Sequence, residues 1–142
     1  MGKFFENASR IVIVDDDIDL LMLMERQLQK HHYNIETAAS LPEAEEIIDH
    51  FQPHLVILDV NVKGEDGRQL CWKLKNGTPY DIKVIIMSGY DVNMNRASLF
   101  GADEVIAKPA QFEYLLNRIE HHLEEKDPSS FPSKTFQKKD GS

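Results

Sequence analysis

The feature that most constrains this chain is a rhythm of short, wholly apolar runs separated by helical patterns. Ile11-Val12-Ile13-Val14, Leu55-Val56-Ile57-Leu58 and Val84-Ile85-Ile86-Met87 have no polar residue in alternate positions. A strand with one face in water alternates apolar and polar residues; an unbroken run fits a strand covered on both faces, as in a parallel sheet. Tyr33 to Ala38 and Glu104 to Ala107 read as two further strands.

Helical patterns fill the intervals. Asp16 or Asp17 caps a helix carrying Leu21, Met24 and Leu28 on one face, at spacings of three and four. Ser40-Leu41-Pro42-Glu43 reads as a capping box with proline in the first turn, and that helix runs to about Phe51 before Gln52-Pro53 stops it. Leu70, Cys71 and Leu74 mark a third helix, ended at Asn76-Gly77-Thr78-Pro79. Asn93 to Phe100 is a short fourth, and Phe112, Leu115, Leu116, Ile119 and Leu123 mark a fifth. Five βα repeats predict a doubly wound parallel sheet with helices on both faces. Periodicity stops after Lys126, so residues 1–126 read as one domain and 127–142 as a flexible tail or the start of a linker.

Charge narrows the function classes. The net charge is −8, and the segment from Asp127 onward, with three Lys and two Asp, is +1, which leaves −9 on the body. Such a body is ill suited to neutralising phosphates, so direct nucleic-acid binding is not expected. It suits a cation-gathering pocket or a basic partner. No apolar run approaches a membrane span, Met1 to Arg10 does not read as a signal peptide, and the single cysteine, Cys71, cannot form an intramolecular disulfide. A cytoplasmic location is the simplest expectation.

In a doubly wound sheet, ligands bind beyond the C-terminal ends of the strands. Asp15, Asp16 and Asp17 follow the first strand, Asp59 the third, Ser88 the fourth and Lys108-Pro109 the fifth. Carboxylates gathered in this way repel one another and call for a hard divalent cation such as Mg²⁺. A phosphate oxygen would complete the coordination, Asp59 would be a carboxylate nucleophile, Lys108 would offset charge, and Ser88 would donate to a phosphate oxygen. There is no G-x-x-x-x-G-K-[ST] run to cradle a nucleotide, so the donor must bring its own activated phosphate.

Ile11 to Asp17, Leu55 to Asp59, Asp66-Gly67, Met87-Ser88-Gly89-Tyr90, Gly101-Ala102-Asp103 and Lys108-Pro109, taken in this order, resemble the motifs of response-regulator receiver domains of two-component phosphorelays, the chemotaxis-regulator-like type, over roughly Arg10 to Leu123. The resemblance implies a flavodoxin-like fold with strand order 2-1-3-4-5. It implies Asp59 as phosphoacceptor, Asp15, Asp16, Asp59 and the Asn61 backbone carbonyl as Mg²⁺ ligands, Ser88 and Lys108 as phosphoryl-binding groups, and a cis Lys108-Pro109 bond. The implied donor is a histidine kinase or phosphotransfer protein. The implied output, an attached domain or a partner, engages the face of the fourth helix, fifth strand and fifth helix, about Asn93 to Leu123; a homodimer is compatible with the resemblance. The domain would catalyse its own phosphorylation and dephosphorylation rather than act as an enzyme on other substrates. Asn61 and Tyr90 flank the pocket, and a bulky Tyr90 would favour a long-lived phospho-state.

Two positions depart from the family pattern. Val105 stands where a switching Tyr or Phe is usual, and a valine has no ring to swing. Lys63 stands where proline is frequent. Val105 lends some weight to an alternative, a phosphorylation-independent pseudo-receiver acting as an interaction module. A second alternative, a small Mg²⁺-dependent phosphatase, would need an inserted cap that the sequence lacks. Several residues read as bland: Asp17 as a helix cap, Cys71 as core, Trp72 as partly exposed, Glu43, Glu45 and Glu46 as a solvated face, and the pairs His31-His32 and His121-His122 as solvated helix ends. His50 and His54 have no ligand partners at metal spacing.

Overall fold

The computed structural model describes residues 4–89 and 100–126. Its elements are β1 (Arg10–Val14), α1 (Ile18–Gln29), β2 (Asn34–Ala38), α2 (Leu41–Phe51), β3 (Leu55–Asp59), β4 (Asn61–Val62), β5 (Glu65–Asp66), α3 (Arg68–Gly77), β6 (Lys83–Ser88), β7 (Glu104–Ala107) and α4 (Phe112–Lys126). The large sheet has five parallel strands in the order β2-β1-β3-β6-β7. Counting only those strands, the order is the expected 2-1-3-4-5. The expected helix over Asn93 to Phe100 falls, except for Phe100, outside the described residues, as do Tyr90 and the segment 127–142. α4 is the fifth helical pattern of the sequence.

The unbroken apolar runs are explained by two cores. Val12, Val14, Val56, Leu58, Val84 and Ile86 point to one side, where Ala44 and Ile48 of α2 and Leu70, Cys71 and Leu74 of α3 cover them. Ile11, Ile13, Leu55, Ile57, Ile85 and Met87 point to the other, against Leu21, Met24 and Leu28 of α1 and Leu115 and Ile119 of α4. Each central strand thus buries both of its faces, and each fully buried aliphatic side chain contributes about 1.5–3 kcal/mol. Burial pushes the Cys71 thiol up to about 12, so it is an inert core group.

Local signals are obeyed where they are strong. Asp17 is the N-cap of α1 and its carboxylate accepts from the Leu20 amide at 3.1 Å. Ser40 accepts from the Glu43 amide at 3.3 Å, while Glu43 reaches back to the Ala39 amide at 2.9 Å. Gln52 ends α2 in the left-handed region with φ 51°, and the Arg10 guanidinium donates to the Phe51 and Gln52 carbonyls left open there. His54 accepts the Arg10 amide proton at 2.9 Å. Glu43, Glu45, Glu46, His31, His32 and His121 are exposed, and Trp72 is half exposed.

Two features differ from the sequence reading. The loop after β3 is a miniature hairpin, β4 paired antiparallel with β5, turned by Lys63 at φ 53° and Gly64 at φ 79°. Strands of two residues are too short for periodicity to reveal. His122 is not a solvated helix-end residue: it is 6% exposed, with Nε2 2.6 Å from Glu104 Oε1. Its position, three after Ile119 and seven after Leu115, puts it on the buried face of α4, and a carboxylate on β7 compensates the buried ring nitrogen.

Candidate phosphoryl-transfer site

The C-terminal ends of β1, β3 and β6 and the segment after β7 converge on one acidic pocket. Ligand oxygens of Asp15, Asp16 and Asp59 lie within 4.8 Å of one another. Asp15 and Asp59 are buried and Asp16 is exposed. Asp15 follows β1 directly; its Oδ1 accepts from the Asp17 amide at 2.9 Å and its Oδ2 from Lys108 Nζ at 2.8 Å. Asp59 is the last residue of β3, and its Oδ2 lies 3.3 Å from the same ammonium. Lys108 therefore bridges two carboxylates that sit on neighbouring strands.

The balance of charge is uneven. Burial raises the Asp59 carboxyl above its ordinary range, the nearby Asp15 charge raises it further, and Lys108 offsets this only in part. Burial opposes the Lys108 charge, but the hydrogen bond and charge of Asp15, with Asp59 added, outweigh it and raise its pKa. One ammonium faces three carboxylates, so the pocket retains a negative field. Hard oxygen donors at this separation suit a small divalent cation with its own waters, such as Mg²⁺. The donor set therefore fits the ion that the sequence implies.

Backbone contacts fix these side chains. The Lys108 amide donates to the Ser88 carbonyl at 2.7 Å, and the Lys108-Pro109 bond is cis. Ser88 is fully buried at the end of β6, and its hydroxyl donates to the Gly89 carbonyl at 3.1 Å. Asn61 lies two residues beyond Asp59; its amide points to Asp59 Oδ1 at 3.5 Å, and its side chain accepts from the Gly64 amide at 3.0 Å. The structure thus gathers Asp15, Asp16, Asp59 and Lys108 directly and sets Ser88 and Asn61 at the ends of the flanking strand and loop.

Two motif residues acquire a physical reason. A Cβ on Gly67 would lie 2.2 Å from the Asp59 carbonyl oxygen, so the start of α3 approaches β3 as only glycine allows. Asp103 accepts from the Val84 amide at 2.8 Å and from Lys75 Nζ at 2.9 Å, which ties the entry of β7 to β6. Neither contact can be read from local sequence, because each partner lies elsewhere in the chain. Val105 is half-buried and packs against the α2–α3 core.

Comparisons with known proteins place the sequence and the fold in one family. The family model for the response regulator receiver domain matches residues 11–120. The heme response regulator HssR of Staphylococcus aureus (strain bovine RF122 / ET3-1) is 33% identical over 110 residues, which cover 76% of this chain and 48% of that protein. The chain thus spans about half the length of that curated relative. Among solved structures, a CheY-like receiver domain protein from Methanospirillum hungatei JF-1 aligns with TM-score 0.75 and 32% identity over 84% of this chain and 97% of that one. The BeF3-activated N-terminal receiver domain of Klebsiella pneumoniae RstA aligns with TM-score 0.72 and 31% identity over 80% and 97%. Fold, motif order and these likenesses converge: the chain belongs to the response regulator receiver domain family.

Proposed function

We propose that Asp59 accepts a phosphoryl group from the phosphohistidine of a histidine kinase or phosphotransfer protein, and that the resulting acyl phosphate alters a partner-binding surface. The observation that carries this reading is the shared ammonium: Lys108 Nζ lies within 3.3 Å of Asp59 and 2.8 Å of Asp15, at the mouth of a three-carboxylate cluster. An Asp59 oxygen attacks phosphorus, the P–N bond to the donor imidazole breaks, and the imidazole nitrogen takes up a proton. Lys108 neutralises charge on the transferred oxygens and the Ser88 hydroxyl donates to one of them. Asp15, Asp16, Asp59 and the Asn61 carbonyl would hold Mg²⁺, which would supply charge neutralisation for the transfer. Hydrolysis of the acyl phosphate by water resets the domain.

Residues 1–126 form the receiver unit in this reading, and 127–142 lead away from it as a tail or linker. The output engages the surface around β7 and α4 together with the helix expected over 93–100. That surface serves an attached domain or a separate partner, and it leaves room for a homodimer. No helix among the described residues is long and apolar enough to cross a membrane, and the reading places the domain in the cytoplasm with its kinase. The presence of Asp15, Asp16, Asp59, Ser88 and Lys108 together weighs against a phosphorylation-independent module.

Incubation with acetyl phosphate and Mg²⁺, followed by intact mass, tests the reading. One added phosphoryl group in the native chain and none in Asp59→Asn is the expected result. No gain in the native chain contradicts it.

A further inference from the structure

The miniature hairpin touches the acidic pocket at two points: the Asn61 amide reaches Asp59 Oδ1 at 3.5 Å, and the Lys63 amide donates to Asp16 Oδ2 at 2.7 Å, across 47 residues of sequence. Asp16 is the exposed member of the carboxylate cluster, so packing does little to fix its side chain. Asp15, by contrast, is held by Lys108 and the Asp17 amide, and Asp59 lies beside Lys108. Nothing comparable holds Asp16 apart from this amide, among the hydrogen bonds of the described residues.

The turn is built to deliver that amide. Lys63 and Gly64 both have positive φ, 53° and 79°, the pattern of the two-residue turn that matches strand twist. The turn is anchored at its base by Val62, which is fully buried, and across its mouth by the Asn61 side chain, which accepts the Gly64 amide at 3.0 Å. Proline, frequent at this position in the family, does not fit the turn as it stands in this chain: it cannot take positive φ, and it has no N–H to donate. A non-glycine residue in the left-handed region carries a conformational cost, which makes the bonded amide more than an incidental contact.

We propose that the Lys63 backbone amide is a positioning group for Asp16: it holds Oδ2 and leaves Oδ1 presented to the cation shared with Asp15 and Asp59. The role belongs to the backbone, so the lysine side chain is replaceable while the amide and the turn are not. The inference rests on the Mg²⁺ reading above. Outer-sphere partners of metal-binding groups commonly tune affinity by about tenfold or more; an exposed amide with a solvated carboxylate should lie at the lower end, about three- to tenfold.

The test is an NMR titration of the ¹⁵N-labelled chain with MgCl₂, read from backbone amide shifts around residues 15–17 and 59–64. Lys63→Gly keeps the amide and eases the turn, and its Mg²⁺ affinity should stay within about twofold of the native value. Lys63→Pro should weaken Mg²⁺ binding about three- to tenfold. In an Asp16→Ala background the same Lys63→Pro change should produce no further loss, since the amide then has nothing to hold. A purely structural role for the hairpin would give the same loss in both backgrounds. If Lys63→Pro loses its dispersed spectrum, the ester analogue bearing the lysine α-hydroxy acid at 63 removes the N–H and keeps the backbone conformation. Equal affinity of native and amide-deficient chains, or equal losses with and without Asp16, overturns the positioning role. Absence of any saturable Mg²⁺ response in the native chain instead overturns the metal reading on which it rests.

Discussion

Two ionic clusters lie on the same sheet, and their charges balance in opposite ways. At the ends of β1 and β3, Asp15, Asp16 and Asp59 face the single ammonium of Lys108. At the seam of β7 with α4, the single carboxylate of Glu104 is met by Arg118, at 2.9 and 2.8 Å, and by His122 at 2.6 Å. Asp59 is raised above its ordinary range by burial and by Asp15. Burial also pushes Glu104 up, but its hydrogen bonds to His122 and Arg118 outweigh this and hold it below the ordinary range. A carboxylate whose partners exceed its charge is fastened, and the fold gains from it. A carboxylate crowded by others has unused capacity for a cation or a phosphoryl group. Both clusters are partly buried and hydrogen-bonded; what separates a structural role from a chemical one is the surplus of negative charge.

That contrast can be broken at several points. The largest effect is expected at Lys108: Lys108→Ala should slow phosphoryl gain from acetyl phosphate about a hundredfold, measured by time-resolved intact mass, while the Glu104 seam is untouched. Gly67→Ala should come next. Its Cβ would meet the Asp59 carbonyl oxygen at 2.2 Å, and relief by backbone shift should cost about 1–3 kcal/mol in urea unfolding and slow phosphorylation as Asp59 moves.

The seam should respond in the opposite sense. Glu104→Ala strands the buried His122 ring and leaves the Arg118 guanidinium unpaired, so it should destabilise the fold by about 1–3 kcal/mol. Its rate of phosphoryl gain should remain within about twofold of the native chain, because among the described residues the Glu104 side chain is bonded to Arg118 and His122 and not to the pocket. A change that slowed phosphorylation as strongly as it lowered stability would mean that the two clusters are coupled.

The pH dependences provide the smallest and sharpest contrast. The lowered Glu104 contributes stability that is present above its unfolded value, about 4.3, and is lost as pH falls through the lower folded value. The raised Asp59 behaves in reverse: its contribution is complete below the unfolded carboxylate range, near 3.9, and is lost as pH rises through the higher folded value. Asp59→Asn should therefore melt above the native chain at pH 7.5 and lose that advantage at pH 3.5. Glu104→Gln should melt below it at pH 7.5 and converge with it as the solution is acidified. Melting curves for both variants at the two pH values check the signs.

Much of this was legible in the sequence, for a physical reason. Buried parallel strands must be apolar throughout, so Ile11 to Val14 and Leu55 to Leu58 announce themselves, and the polar residue that ends each run marks the sheet rim. Asp15, Asp59, Ser88 and Lys108 could be placed together because the doubly wound topology brings strand ends to one side. The contacts that hold them were not legible. Gly67 against the Asp59 carbonyl, the Asp103 bond to Val84 and the Lys63 bond to Asp16 join residues 8 to 47 positions apart, and no local pattern encodes the partner. The pair His121-His122 reads as a solvated helix end, yet adjacent residues on a helix point in different directions, so His121 is exposed while His122 is buried. The spacing of His122 from Leu115 and Ile119 carried the signal.

The central claim, that surplus negative charge at Asp59 serves to carry phosphate, is tested most directly by trapping the product. The chain would be incubated with a phosphohistidine-bearing donor protein and Mg²⁺, reduced with borohydride, which converts an aspartyl acyl phosphate to homoserine, and digested for peptide mass analysis. Conversion confined to position 59 is the predicted result. Conversion at Asp15 or Asp16, or none at all under conditions in which the donor loses its phosphate to another receiver domain, would contradict the account.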